Sequence, residues 1–425
     1  MNKYRARVFD DILSRKLSGV GAVLVEGPKW CGKTTTCERL AKSVLSMGDP
    51  STRDKNIALS EIDINSLLKG AQPRLIDEWQ IVPRFWDAVR YRVDHEDGDG
   101  HYILTGSAVP PDISEISHTG TGRIVRLRMR PMSLWESGES AGAVSLASLF
   151  AGEELKSAEC PDRSLEEMCY LACRGGWPKA VCQSRDIALE RAFEYYDAVV
   201  SSDISRVDGV PRDPDRVMRL MRSYARLQST QAKLTVIRDD MIAHDADGLN
   251  EDTVRSYLEA LKKIFVVEDS VAWCPCIKSK AVVRTGDTRY FVDPSVATAA
   301  LAVGPGDLES DPRSFGCVFE TMAVRDLRCY AEALGGRVAH YLDANGLECD
   351  AVIHLRNGQF GLVEVKLGGS KLIEEGAKTL TALASLVDET KMRRAAFRMV
   401  VTAVGAFAYT RADGVIVCPL SALRP

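Results

Sequence analysis

The run Gly27-Pro28-Lys29-Trp30-Cys31-Gly32-Lys33-Thr34 constrains this chain more than any other stretch. It follows an apolar, strand-like segment, Ala22-Val23-Leu24-Val25, and leads into a helix-compatible run from Thr34 to Leu45. Strand, glycine-bearing loop and helix, in that order, are the context in which a phosphate-binding loop has meaning. Gly27 and Gly32 permit tight turns, so successive N–H groups point into one concavity. Lys33 adds a point charge for β- and γ-phosphates, and the Thr34 hydroxyl is a ligand for Mg²⁺. The loop as a whole, with Pro28, Lys29, Trp30 and Cys31 between the glycines and Thr35 after them, is the expected cradle of a nucleoside triphosphate. A glycine-rich turn with an incidental lysine is the competing reading. The filled pattern and its flanks outweigh it.

The next strand extends the chemistry. Arg74-Leu75-Ile76-Asp77-Glu78-Trp79 is a short apolar segment ending in two acids. Asp77 is the candidate for the metal side, and Glu78 for the general base that polarises an attacking water. A third strand, His101 to Thr105, ends in Gly106-Ser107-Ala108. Ser107 is placed to hold that water or sense the γ-phosphate, with Thr105 as runner-up. Arg123 then opens another strand, in Gly122-Arg123-Ile124-Val125. There it is expected to neutralise phosphoryl charge in its own subunit or a neighbour's. A plain surface arginine is an equal alternative.

At 425 residues the chain has room for about three domains. Hydrophobic residues at 45% and charged residues at 27% are ordinary for a globular protein. No apolar run approaches the roughly 20 residues that span a bilayer. Met1 to Ser18 reads as a helix and not as a signal peptide, so a cytoplasmic protein without membrane contact is expected. The twelve cysteines are scattered, and Cys274-Pro275-Cys276 lacks a second pair, so reduced thiols are expected. A net charge of −4 advertises no global nucleic-acid field.

Residues near 140 to 165 read as an interdomain loop. Leu165 to Cys173 and Ile187 to Val207 read as helices, and Val217–Leu227, Leu234–Ile242 and Glu251–Ile264 as the helices of a winged helix-turn-helix. Val266, Val267 and Val271 suggest wing strands. The third helix mixes Arg255, Lys262 and Lys263 with Glu251, Asp252 and Glu259, which favours a protein-facing role over direct DNA reading. Towards the C-terminus, Glu348–Leu355 and Phe360–Lys366 form a hairpin that turns Asp350, Glu364 and Lys366 to one end. Two carboxylates and a lysine suit cation-assisted phosphodiester hydrolysis. An exposed ion pair is the bland alternative.

The order GPKWCGKT, LIDEW, ILTGS, Gly122-Arg123, Leu127 to Glu136 and Gly175-Gly176-Trp177-Pro178 resembles prokaryotic AAA-type ATPases. Those proteins carry a C-terminal domain of unknown function related to restriction-endonuclease-like folds. The resemblance covers nearly the whole chain. It implies ATP with Mg²⁺, and nucleotide-site roles for Lys33, Thr34, Asp77, Glu78 and Ser107; Trp30-Cys31 departs from the smaller or polar residues of many members. The segment Asp350…Glu364-Val365-Lys366 likewise resembles the motif of the PD-(D/E)xK nucleases. That implies an upstream acid at a helix start, Glu320, with a helix from Thr321 to Ala333, and Glu348 as an auxiliary acid.

The expected fold is therefore α/β throughout: an AAA-type P-loop parallel-sheet domain over 1–150, a helical and winged-helix module over 151–275, and a nuclease-like α/β domain over 276–425. The expected function is ATP hydrolysis whose nucleotide state drives action on DNA or RNA. The alternative is a nucleotide-dependent switch or scaffold that binds a protein partner and carries a silent nuclease-like domain. An oligomer is implied if Arg123 acts on a neighbour.

Overall fold

A strand that is apolar on both faces needs cover on both sides, and Ala22-Val23-Leu24-Val25 receives it. The computed structural model describes residues 4–108, 119–242, 249–274, 286–390 and 392–425. In it β1 (Ala22–Glu26) lies within a five-stranded sheet with β2 (Ser43–Ser46), β3 (Arg74–Asp77), β4 (Tyr102–Gly106) and β5 (Ile124–Arg128), in the order β2-β3-β4-β1-β5. Every pairing in it is parallel. The helix Val8–Leu17 covers one face, where Phe9, Ile12 and Leu13 join Val23 and Val25 in one core. Leu24 packs on the other side with Trp79, Phe85 and Trp86.

The helix expected from Thr34 to Leu45 is shorter than that. It runs Lys33–Leu40, and Ser43–Ser46 becomes the edge strand β2. Leu45 turns inward while Val44 stays 45% exposed, the period-two alternation of a half-covered edge. An open edge on β3 supplies hydrogen-bond partners that no local helix signal reveals.

The central helices fall close to expectation: Leu165–Arg174, Arg185–Ala198, Pro214–Arg226, Leu234–Ile242 and Glu251–Lys263. Asn250 caps the last of these by accepting from the Thr253 amide at 2.8 Å. The segment after it makes isolated bridges, Val267 to Phe291 and Ser270 to Thr288, in place of the wing strands expected at Val266, Val267 and Val271. Pro294–Leu301 returns to this helical core through Val296, Ala297 and Ala300, although it lies within 276–425.

A seven-stranded sheet forms the C-terminal part. Its order is β7 (Ser157–Glu159), β12 (Phe407–Thr410), β13 (Ile416–Pro419), β11 (Arg398–Thr402), β10 (Phe360–Lys366), β9 (Glu348–Leu355) and β8 (Gly336–Leu342). Two short strands join sequence-distant parts: β7 comes from the expected interdomain loop, and β6 (Val144–Ser145) pairs with β14 (Leu423–Arg424). The long helix Pro312–Ala333 packs on one face through Val363 and Val365, and Ser370–Leu386 on the other through Leu362 and Val400. Glu320 therefore sits inside the helix Pro312–Ala333. The expected helix start at Thr321 is corrected: Pro312 occupies the first turn and Asp311 caps it through the Ser314 amide.

One buried ionic chain ties the three parts together. Arg325 is paired with Asp293 at 2.9 Å and with Asp326 at 2.7 Å, all three side chains being removed from water. Asp293 also accepts from the Gly176 amide at 2.9 Å, and Asp326 from the Leu134 amide at 2.9 Å. Burial pushes the Asp326 carboxyl up to about 6 despite the opposing pull of Arg325. Arg325→Met leaves two carboxylates buried without their cation, so it should lower unfolding free energy by about 3–5 kcal/mol in a urea titration.

Candidate functional site

The P-loop is shaped by residues that tolerate positions others do not. A Cβ on Gly27, at φ 155°, would stand 2.1 Å from the Met129 carbonyl oxygen. Gly32 begins the helix at φ 100°. Trp30 and Glu78 also hold positive φ, 66° and 57°, left-handed backbone that non-glycine residues adopt rarely. Arg7 fixes the loop from beneath: its guanidinium donates to the Cys31 carbonyl at 2.9 Å and to the Arg130 carbonyl at 2.8 Å, and pairs with buried Glu136. The fully buried Cys31 completes that floor.

Around the loop, the expected residues converge. The Thr34 hydroxyl donates to Asp77 Oδ1 at 2.8 Å, and the Thr105 hydroxyl donates to the same oxygen at 2.5 Å. The Lys33 ammonium donates to the Gly27 and Pro28 carbonyls, both at 2.8 Å. Those neutral acceptors are weaker partners for an ammonium than a phosphate oxygen is. Glu78 accepts from Gln80 at 2.5 Å and lines, with Lys29, Thr35 and Ser107, a cleft of about 560 Å³. The Thr34 hydroxyl and the Asp77 carboxylate form the oxygen donor set that a hard cation such as Mg²⁺ takes. Thr105, the runner-up, is the strand-end residue that touches Asp77, whereas Ser107 lines the cleft.

Arg123 is not part of this site within one chain. β1 and β5 run parallel, with Ala22 opposite Ile124 and Glu26 opposite Arg128. The loop follows the far end of β1, while Arg123 precedes the near end of β5. There it pairs with Asp94 at 2.6 Å and stays half exposed. The role in its own subunit is thereby corrected.

The cleft's opposite wall comes from the central helices and escaped sequence reasoning. Trp177, Pro178, Lys179 and Arg191 line it, although the Gly175-Gly176-Trp177-Pro178 turn was a visible signal. A Cβ on Gly176 would stand 2.1 Å from the Met132 carbonyl oxygen, so glycine lets this turn press against the segment after β5. A π-helical turn, Val199–Asp203, presents Asp203 to Lys29 at 2.6 Å, and Tyr195 meets the Trp30 ring edge-on at 5.7 Å.

A second cluster assembles in the C-terminal sheet. Lys366 bridges Glu364 at 2.6 Å and Asp350 at 3.3 Å, as the hairpin register implies. Tyr290 donates to Glu320 at 2.5 Å, and Gln231 to Glu348 at 2.9 Å. Burial, reinforced by Asp350, raises the Glu320 carboxyl well above the usual range and lifts that of Glu364 to about 8. Burial would lower Lys366, but Asp350 and Glu364 outweigh it and hold the ammonium charged. The expected metal set of Glu320, Asp350 and Glu364 is not formed as a cage. Among the described residues no group of three or more His, Cys, Asp or Glu side chains is placed to hold a metal ion. The reason is local: an ammonium stands between two of the acids, and a phenol takes the third.

The described cysteines are free thiols, and Cys276 of the Cys274-Pro275-Cys276 run lies outside the described residues. No described helix is long and apolar enough to cross a membrane.

Residues 20–137 match a family described as "AAA domain". Residues 165–307 and 315–423 match two families described as domains of unknown function, DUF8612 and DUF4143. Uncharacterised proteins of Mycobacterium bovis and Mycobacterium tuberculosis are each 25% identical over 268 residues, 61% of this chain and 52% of theirs. The chain thus spans about half the length of the curated relatives it matches. Among solved structures, a Walker-type ATPase of Pyrococcus abyssi is similar at 15% identity and a TM-score of 0.41, covering 71% of this chain and 99% of its own.

Lys33→Ala removes the P-loop cation, so titration calorimetry should find ATP uptake lost while the melting temperature stays close to that of the parent. Sequence match, parallel sheet and loop geometry coincide: residues 20–137 form an AAA-type P-loop domain.

Proposed function

We propose that this protein binds ATP together with Mg²⁺ and hydrolyses it, and that its nucleotide state is passed to the central module. The observation that carries the reading is the convergence of the Thr34 and Thr105 hydroxyls on one oxygen of Asp77, beside the P-loop lysine. Mg²⁺ held by Thr34 and Asp77 would offset charge on the phosphoryl oxygens. Lys33 exchanges its loop carbonyls for phosphate oxygens, and Glu78 orients and deprotonates the attacking water. Ser107 and Arg191, from opposite walls, are within the same cleft for contact with the γ-phosphate. Lys29 and Trp30 carry any loop movement to Asp203 and Tyr195, which supports control of the central helices, read here as a winged-helix module.

Glu78→Gln keeps size and hydrogen bonding but removes the base. ATP affinity should stay within a few-fold of the parent while steady-state turnover falls by about a hundredfold or more. Normal turnover would transfer the base role elsewhere.

For the C-terminal module two readings stand: action on DNA or RNA through a nuclease-like site, or a silent nuclease-like fold serving a switch that binds a protein partner. Capture of Asp350 and Glu364 by Lys366 favours the second. Purified protein with Mn²⁺ should accordingly leave supercoiled plasmid intact. Nicking that disappears in Lys366→Ala would reinstate the nuclease. Arg123 keeps a role only in an oligomer, reaching a neighbour's nucleotide.

A further inference from the structure

A second cleft, of about 470 Å³, opens where the P-loop domain, the central module and the C-terminal sheet meet. It shares no lining residue with the nucleotide cleft. Six cationic side chains line it: Arg15, Lys16, Arg130, Arg328, Arg337 and Arg356. Facing them are three carboxylates, Glu268, Asp269 and Glu332.

The excess of positive charge is larger than that count suggests. Glu268 is consumed by Arg130 at 2.7 Å, with Arg128 and Arg328 nearby, and Glu332 is bound by Arg130 at 2.7 Å. Asp269 is spoken for by Arg289 at 2.7 Å and Lys262 at 3.1 Å, neither of which lines the cleft. Among the described residues, Lys16, Arg337 and Arg356 have no carboxylate partner, and Arg15 donates to the Ala333 carbonyl at 3.2 Å. Scattered surface arginines are ordinary. A concavity whose acids are already neutralised, with four more cations on its rim, concentrates positive potential where an anion can enter.

We propose that this cleft binds a small polyphosphorylated ligand. Guanidinium forks match phosphate oxygens in pairs, and the cations come from two separate elements: Arg15 and Lys16 from the first helix, Arg337 from β8 and Arg356 from the turn after β9. Leu127, Val271 and Val338 supply an apolar surface for a ring or linker, and the junction of modules is where small-molecule pockets recur. A cleft of about 470 Å³ suits a compact ligand better than a continuous polymer backbone. Arg7 ties the cleft to the P-loop, since one guanidinium holds both the Arg130 and the Cys31 carbonyls. The proposal stands apart from ATP hydrolysis and holds whether or not the P-loop turns over.

The experiment uses full-length Lys33→Ala protein, so that the P-loop is silent, with tripolyphosphate as the calorimetric probe. Saturable, salt-sensitive uptake is expected. Arg337→Glu with Arg356→Glu should weaken it by about tenfold or more, and so should Arg15→Glu with Lys16→Glu on the first helix. All four positions are on the rim, and melting temperatures near the parent's confirm that folding is intact. No uptake by Lys33→Ala protein, or uptake unchanged in both double variants, overturns the proposal. Binding of a single-stranded oligonucleotide without binding of tripolyphosphate overturns it in favour of a nucleic-acid groove.

Discussion

Arg325 lies out of reach of water between Asp293, from the segment that returns to the central helices, and Asp326, its neighbour on the long helix Pro312–Ala333. Through Asp293 it reaches the Gly176 amide, and through Asp326 the Leu134 amide at the end of the P-loop domain. A charge in that position is costly unless every partner is present, which makes the joint between modules all-or-none. The Gly175–Pro178 turn, and with it the outer wall of the P-loop cleft, is therefore set by a contact that lies outside the cleft.

The same economy governs the loop itself. Arg7 and Glu136 form a buried pair that holds the Cys31 and Arg130 carbonyls, so the floor of the P-loop is bolted to both the first helix and the segment after β5. Strained residues Trp30 and Glu78 sit on that rigid base. Their side chains face the central module and the cleft respectively.

At the C-terminal cluster, electrostatics decide between chemistry and quiescence. Glu320 and Glu364 are pushed toward their neutral forms by burial, and the Lys366 ammonium bridges Glu364 and Asp350. Tyr290 and Gln231 reach it from outside the sheet that carries it, so access to this cluster depends on how segments around the central module are seated.

Much of this was legible from residues alone. A phosphate loop is local: Gly27, Gly32, Lys33 and Thr34 act through backbone geometry that a contiguous run specifies, and the Asp77 strand end follows the same rule. Helices such as Glu251–Lys263 declare themselves by period and cap, and the Asp350–Glu364–Lys366 grouping follows from the two-residue repeat of a hairpin. Interactions across distant segments were hidden, because one-dimensional spacing carries no information on them. Only the folded chain put Ser43–Ser46 on a sheet edge, moved Arg123 to the end of the sheet away from the loop, gave Lys29 its Asp203, and set the Tyr290 hydroxyl against Glu320. Sequence determined which groups are available; the packing of parallel strands and buried ion pairs determined which of them meet.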